Sequence, residues 1–269
     1  MDELPLGRSV AYDAPYDPTL LYPIPRAPGR AQLGLEALPF AGVDIWNAYE
    51  LSWLDVQGKP QVACAEFWIP CASPNIVESK SFKLYLNSLN QQRFASADDV
   101  AATLRTDLAA CLGGELEVVL RAPAQWQADH FDGAGWQCLD DLPVAIEHYQ
   151  PAPQLLQTLA GAPAPRRVFS RLLRSRCPVT GQPDWATVLI DYTGAEIDPA
   201  GLLAYLVSFR LHQDFHEHCV ERIFCDIRQR CLPQALSVYA RYLRRGGLDI
   251  NPYRSSGGER PSNLRCFQQ

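Results

Sequence analysis

Two stretches of this chain run through the same order of local patterns, and that recurrence limits the folds open to it more than any single motif. In the first, VDIWNAYELSWL (43–54) and PQVACAEFWIP (60–70) are rich in β-branched and aromatic residues and flank a QGKP turn, the pattern of a β-hairpin. A helix near 78–90 follows, with Phe82, Tyr85, Leu86 and Leu89 at helical spacing; a second helix near 98–112 opens after Ser96, and ELEVVLRA (115–122) reads as a strand. In the second stretch, VFSRLLRS (168–175) and WATVLIDYTG (185–194) form another hairpin, helices follow near 199–210 and 216–230, and strands at 235–243 and 248–253 flank an Arg-Gly-Gly turn. The two share little residue identity, so this is a repeat of pattern and not of sequence.

A sheet with one apolar face needs a second layer against it. The simplest architecture is therefore α+β: two tandem domains, each an antiparallel sheet with a helix pair on one face. The Pro- and Gly-rich residues 1–40 read as an extended arm, followed by domains at 41–155 and 156–269. Between the repeats, 123–143 reads as a loop-rich excursion, PVAIEHY (143–149) as a further strand, and QPAPQLLQTLAGAPAPRR (150–167) as a linker.

Composition narrows the function. A 269-residue chain with 47% hydrophobic residues can build a sizeable core, and a net charge of −6 argues against a general nucleic-acid or membrane-surface binder. The start MDELPLGRSV lacks the apolar run of a secretory signal, and no stretch is long enough to span a membrane. Nine cysteines at irregular spacing then point to reduced thiols and a cytoplasmic setting.

Four segments could carry chemistry. Cys177 and Asp184 stand at the two ends of RCPVTGQPD, a loop stiffened by Pro178, Gly181 and Pro183. A thiolate is the reactive form of cysteine, Arg174 and Arg176 are nearby cations that would favour it, and an acid at the far end of a short loop can fold back to exchange a proton. A plain turn containing a Cys and an Asp has the same spacing. FHEHCVERIF (215–224) opens a helix whose inner stripe is His216, Val220, Ile223, Phe224 and Ile227; His216 could shuttle protons and Glu217 could accept ligand N–H groups, although an acid in a first helical turn also complements the dipole. In VESKSFKLYLNSLN (77–90), Glu78 shares the apolar stripe while Lys80 and Lys83 lie on another face that suits a phosphate, or simply solvent. Arg244, Arg245 and Gly246 form a basic hairpin turn, again suited to phosphate or to solvent. No G-x-G-x-x-G follows a strand. His216, His218, Cys219, Cys225 and Cys231 lie close in sequence but lack metal-ligand spacing, so no metal is expected.

Taken together, ESKSFKLYLNSLN, CPVTGQPDW, SFRLHQDFHEHCVERIF and RYLRRGGLDINPYR resemble, in their order, the NADPH-dependent nitrile reductases of queuosine biosynthesis, in their long two-domain form. These enzymes reduce 7-cyano-7-deazaguanine to 7-aminomethyl-7-deazaguanine. The resemblance implies a tunnelling fold (T-fold) in both halves and a homodimer or larger assembly acting on a small deazapurine, with no nucleic acid or membrane partner. It implies that Cys177 attacks the nitrile carbon to form a covalent thioimide, that Asp184 protonates the nitrile nitrogen, and that His216 is the second proton-handling residue. Glu78 and Glu217 would hold the base, with Val77, Ser79, Phe215 and His216 beside them. Ser79, Lys80, Arg245 and Gly246 would contact NADPH, of which two are used per turnover. Two other readings share parts of this pattern: a zinc-dependent pterin-type cyclohydrolase of the same fold, and a non-catalytic purine-binding module.

Overall fold

A computed structural model describes residues 15–126 and 129–269; the first fourteen residues of the expected arm lie outside the described ones. Two compact units are present. One is drawn from Met1–Gly29, Asp44–Gln127 and Arg244–Asp249, the other from Arg30–Val43, Ala128–Leu243 and Ile250–Gln269.

In the first unit, β1 (Pro23–Pro25) pairs antiparallel with β4 (Asn75–Val77). The sheet runs in the order β5 (Glu117–Arg121), β3 (Pro60–Pro70), β2 (Ala41–Leu54), with β3 and β5 antiparallel. Helices α2 (Ser79–Ser88) and α3 (Ala97–Leu112) bury Phe82, Tyr85, Leu86, Val100, Leu104, Leu108 and Leu112. These recur at three and four residues, as a single buried helix face requires. Phe82 packs edge-on against Trp46 of β2 and Phe67 of β3, with ring centroids 5.5 and 5.0 Å apart.

The second unit carries α1 (Ala27–Gln32) in part and a sheet in the order β10 (Leu248–Ser255), β9 (Ala235–Tyr242), β8 (Pro183–Gly194), β7 (Ala164–Arg176), β6 (Gln137–Cys138). The β10–β9, β9–β8 and β8–β7 pairs are antiparallel, and the two-residue β6 lies parallel to β7. Helices α4 (Pro199–Ser208) and α5 (His216–Cys231) bury Leu202, Leu206, Val220, Ile223, Phe224 and Ile227. No helix among the described residues is long and apolar enough to cross a membrane.

The recurrence read from sequence is matched bond for bond inside the two units. A 10-residue helix, a three-residue 3-10 turn and a 16-residue helix follow each hairpin. Each first helix is capped by a carboxylate that accepts two backbone N–H groups, from Glu78 in one and Asp198 in the other. Tyr85 Oη donates to Asp107 at 2.6 Å, and Tyr205 Oη to Asp226 at 2.6 Å. Leu54 N–H donates to Gln92 O as Arg176 N–H donates to His212 O. The hairpin loops close alike: Asp55 N–H to Lys59 O in one, Cys177 N–H to Gln182 O in the other.

Several local expectations are corrected. Residues 143–149 form no strand; the segment lies extended, and Tyr149 O accepts Leu211 N–H without a ladder. Alternation alone does not supply a free strand edge to pair with. The stretch 150–167 is not a loose linker: Ala152 N–H donates to Ser208 Oγ at 3.1 Å, Leu156 is buried, and β7 already begins at Ala164. The part of the arm that is described is not extended throughout, since it holds β1 and α1.

Candidate active site

Cys177 comes one residue after β7 ends, because Gly181 at φ +69° lets the chain turn back; Gly181 N–H donates to Cys177 O at 3.0 Å. Ser175 and Asp184 are paired directly across the hairpin, so their side chains share a face. Cys177, two residues beyond Ser175, emerges on that same face. Cys177 thus stands in the turn, two residues beyond the rung that carries Asp184. Both are buried, Cys177 at 8% exposure and Asp184 at 2%.

His216 enters from the first residue of α5. Its Nε2 lies 3.3 Å from Asp184 Oδ2. Its ring stacks on Tyr242 of β9, centroids 3.8 Å apart and planes within 2° of parallel. Its Nδ1 is buried and has no hydrogen-bond partner among the described residues. Glu217 beside it is 2% exposed, in the first turn of α5, where the open N–H groups of the helix favour a carboxylate. Phe215 is the N-cap residue and packs edge-on against His218.

Behind this group lies a second carboxylate cluster that sequence reading missed. Asp214 Oδ1 lies 3.1 Å from His218 Nδ1 and accepts Phe215 N–H at 2.8 Å, and Asp214 Oδ2 lies 3.5 Å from His212 Nε2. Burial pushes both Asp214 and His218 toward their neutral forms. The hydrogen bonds and mutual charge overcome it, leaving Asp214 well below the ordinary carboxylate range and His218 above the ordinary imidazole value. An Asp just before a helix with a His four residues on is the signal that could have revealed the pair.

Four of the other cysteines are ill suited to attack. Burial pushes Cys111 up to about 11, Cys225 to about 12 and Cys231 to about 11. Cys219, fully buried beside Ser175 and Tyr242, is raised further by burial and by the charge of Asp214. These four are held as thiols and are poor nucleophiles.

The remaining expected residues gather in the first unit. Val77 and Glu78 are buried at the end of β4 and the head of α2. The Glu78 carboxylate accepts Lys80 N–H and Ser81 N–H, each at 2.7 Å, and Ser79 Oγ at 3.4 Å. Its place on the apolar stripe therefore comes with a capping duty. Arg245 and Gly246 sit in a turn closed by Arg245 N–H to Leu248 O at 2.8 Å. Gly246 has φ +56°, and a Cβ there would lie 3.2 Å from the Lys83 Cδ and Cε atoms, so the Lys83 stem passes over this turn. Arg244 stacks on Tyr49 with 5.0 Å to the ring centroid. The stem of Lys83 is thereby brought beside the Arg245–Gly246 turn, and lysine and arginine side chains suit a phosphorylated cofactor. Among the described residues no group of three or more His, Cys, Asp or Glu side chains is gathered as a metal would need.

In the first unit the position of Cys177 is held by Asp55, that of Asp184 by Gln61 and that of His216 by Ala97. Asp55 spends its carboxylate on its own turn, accepting Gln57 and Lys59 N–H groups and Gln61 Nε2. The thiol, acid and imidazole thus occur together in one repeat alone.

Comparison with known proteins places the chain among close relatives. The family described as "Nitrile reductase, 7-cyano-7-deazaguanine-reductase N-term" matches residues 12–120, and "QueF-like protein" matches residues 183–261. The NADPH-dependent 7-cyano-7-deazaguanine reductase of Bordetella avium is 54% identical over 271 residues, covering 100% of this chain and 99% of that one. The enzyme of the same description from Bordetella pertussis is 55% identical with the same coverage, and that from Burkholderia cenocepacia is 54% identical over 98% of each chain. The apo crystal structure of the archaeosine synthase QueF-Like aligns with a TM-score of 0.32 at 16% identity, covering 38% of this chain and 99% of that one, too slight a likeness to bear on the fold.

Proposed function

The chain belongs to the family of NADPH-dependent 7-cyano-7-deazaguanine reductases, and from that premise we propose how its own residues perform the reduction. It is an oxidoreductase that converts the nitrile of 7-cyano-7-deazaguanine to the aminomethyl group, a step of queuosine biosynthesis. What supports the residue assignment is the Asp184–His216 pair, 3.3 Å apart, at the end of the hairpin whose turn carries Cys177.

A nitrile is a weak electrophile, and covalent attachment splits one difficult reduction into easier steps. Asp184 takes the thiol proton of Cys177, the sulfur adds to the nitrile carbon, and that proton passes from Asp184 to the nitrile nitrogen, giving a thioimide with the C–S bond formed and the C≡N bond reduced in order to C=N. NADPH supplies one hydride to this carbon and, in a second round, another. After the first, the C–S bond breaks as Cys177 leaves and an imine remains; the second gives the amine. His216, stacked on Tyr242 and turned toward Asp184, returns protons to Asp184 and to the product nitrogen. Two NADPH and two protons are consumed for each nitrile reduced.

Glu217 and Glu78 pair with the ring and exocyclic N–H groups of the base, with Val77, Ser79, Phe215 and His216 around it. Glu78 retains acceptor capacity for this beyond its two capping bonds, since each carboxylate oxygen has two lone pairs. Ser79, Lys80, Arg245 and Gly246 contact NADPH. Both halves, 41–155 and 156–269, are read as T-fold domains, and the enzyme as a cytoplasmic homodimer. The matched hydrogen bonds of the two helix pairs support the shared fold of the halves.

The test is stoichiometry. Under anaerobic conditions, purified protein given 7-cyano-7-deazaguanine should oxidise two NADPH for each amine formed. A ratio of one, or oxidation without amine, contradicts the four-electron course.

A further inference from the structure

The second unit holds a cluster of cations that the chemistry above does not use. Arg174 of β7 and Trp185 of β8 face each other across the hairpin, one rung from Ser175 and Asp184. The Arg174 guanidinium carbon lies 5.5 Å from the Trp185 ring centroid, and that of Arg210, from the turn after α4, lies 5.4 Å from the same centroid. Arg174 Nη1 donates to Arg210 O at 3.0 Å, which ties the two together. Arg176 follows two residues along the same strand, so it faces the same way as Arg174. All four side chains are half-buried.

Among the described residues no carboxylate pairs with any of the three arginines, and the buried Nε atoms of Arg174 and Arg176 have no hydrogen-bond partner. Three other half-buried arginines of the unit have carboxylate partners: Arg30 pairs with Glu221, Arg166 with Glu196 and Arg171 with Asp140. Three like charges at close range repel, and the repulsion is felt within the cluster. Burial first, then the charges of Arg210 and Arg176, bring Arg174 below the ordinary guanidinium value. In a chain of net charge −6, carboxylates were available for pairing and are absent here. Trp185 contributes a π face that orients guanidiniums without neutralising them. Such a set is complete only with an anion. A single carboxylate would answer one of three charges, whereas a phosphate dianion offers several acceptor oxygens to planar guanidinium forks.

We propose that Arg174, Arg176 and Arg210, arranged around Trp185, form a phosphate-binding cradle for a phosphate group of the dinucleotide cofactor. The identity of the ligand rests on the proposed NADPH reaction, while the cradle itself rests on the geometry. Consecutive rungs point to opposite faces, so the cradle lies off the face that carries Asp184, which makes it a determinant of cofactor affinity and not of the covalent step.

The test uses the whole protein and the variants Arg210→Gln, Arg176→Gln and Arg210→Lys. Arg210 and Arg176 keep their backbone bonds in these variants, and thermal unfolding checks that each is folded. Calorimetric titration with inorganic pyrophosphate, adenosine 2′-phosphate and NADP⁺ measures anion binding without turnover. Each glutamine variant should bind NADP⁺ and at least one of the phosphates about tenfold more weakly, with Arg210→Lys intermediate, because a lysine keeps the charge and loses the fork. Thioimide formation with 7-cyano-7-deazaguanine in the absence of NADPH should be unchanged in the two Arg210 variants, which separates this inference from the mechanism. Glutamine variants that bind NADP⁺ and both phosphates within twofold of the parent overturn the cradle. Weaker pyrophosphate binding with unchanged NADP⁺ binding overturns the cofactor assignment, leaving a site for a free phosphate. A change of oligomeric state with unchanged anion binding also overturns it, and shows that the arginines meet a partner's carboxylates.

Discussion

Replacing Glu78 by alanine should damage two things at once, and the internal repeat supplies the control that separates them. Glu78 caps α2 with two bonds of 2.7 Å, one to Ser81 N–H, which is wholly buried. Loss of a side-chain N-cap costs about 0.5–2 kcal/mol. Leaving buried donors without an acceptor places this case near the upper end, at about 2 kcal/mol. A domain of this size loses about 2–4 °C of melting temperature per kcal/mol, so Glu78→Ala should melt about 4–8 °C lower. Asp198 caps α4 in the same way through longer bonds of 3.2 and 3.1 Å, and no ligand role falls on it. Asp198→Ala should therefore lose about 1 kcal/mol, or about 2–4 °C, with unchanged affinity for 7-cyano-7-deazaguanine. Glu78→Ala should in addition weaken that affinity by about 10–100-fold, the worth of a hydrogen bond to a charged acceptor. Scanning calorimetry and isothermal titration of both variants make the comparison. An unchanged melting temperature in Glu78→Ala refutes the capping account. Equal losses of affinity in the two variants refute a role for Glu78 in holding the base.

Asp184→Asn should keep the fold and the ligand affinity but lower kcat by about 10²–10⁴-fold, as expected when a positioned acid is lost; single-turnover kinetics check this, and a wild-type rate contradicts it. Tyr242→Leu should lower kcat while Tyr242→Phe retains it, because stacking and not the hydroxyl holds His216; equal loss in both points to the hydroxyl instead. The Asp214–His218 pair sets a pH dependence of stability. Asp214 is lowered, so its contribution is present above its unfolded value of 3.8 and lost only as pH falls through the lower folded value. His218 is raised, so its contribution is full below 6.5 and lost as pH rises through the folded value. Urea midpoints should thus fall as pH rises beyond 6.5, and Asp214→Asn should remove that fall; the same slope in both proteins contradicts the assignment.

Where sequence carried the fold well, the signal was periodic. The α4–α5 pair was legible because Leu202, Leu206, Val220, Ile223 and Ile227 repeat on one face, and the hairpins because their turns carry Gly and Pro between β-rich runs. The segment 143–149 misled because it alternates without an edge to join, and β7 begins at Ala164, ahead of the β-rich run that opens at Val168, because Ala164 pairs with Gly194 regardless of β-propensity. In the candidate site, the tight hairpin turn between Cys177 and Asp184 was legible from its Pro and Gly residues, although a plain turn has the same spacing. The stack of Tyr242 on His216 was not, since it joins the first residue of α5 to the last residue of β9, with all of that helix and strand between them. Glu78 was placed on the inner stripe correctly, but its capping bonds depend on backbone geometry that a stripe does not encode. The Arg174–Trp185–Arg210 cluster was half visible: two arginines flank the loop in sequence, and the third arrives from a separate turn.

The central claim is that Cys177 forms a bond to the nitrile carbon before any hydride arrives. Intact-protein mass spectrometry after mixing with 7-cyano-7-deazaguanine, with NADPH left out, tests it most directly. The account predicts a mass increase equal to one ligand, mapped to Cys177 by peptide analysis and absent from Cys177→Ala. A folded protein that binds the ligand and gains no mass, or an adduct that persists in Cys177→Ala, would contradict it.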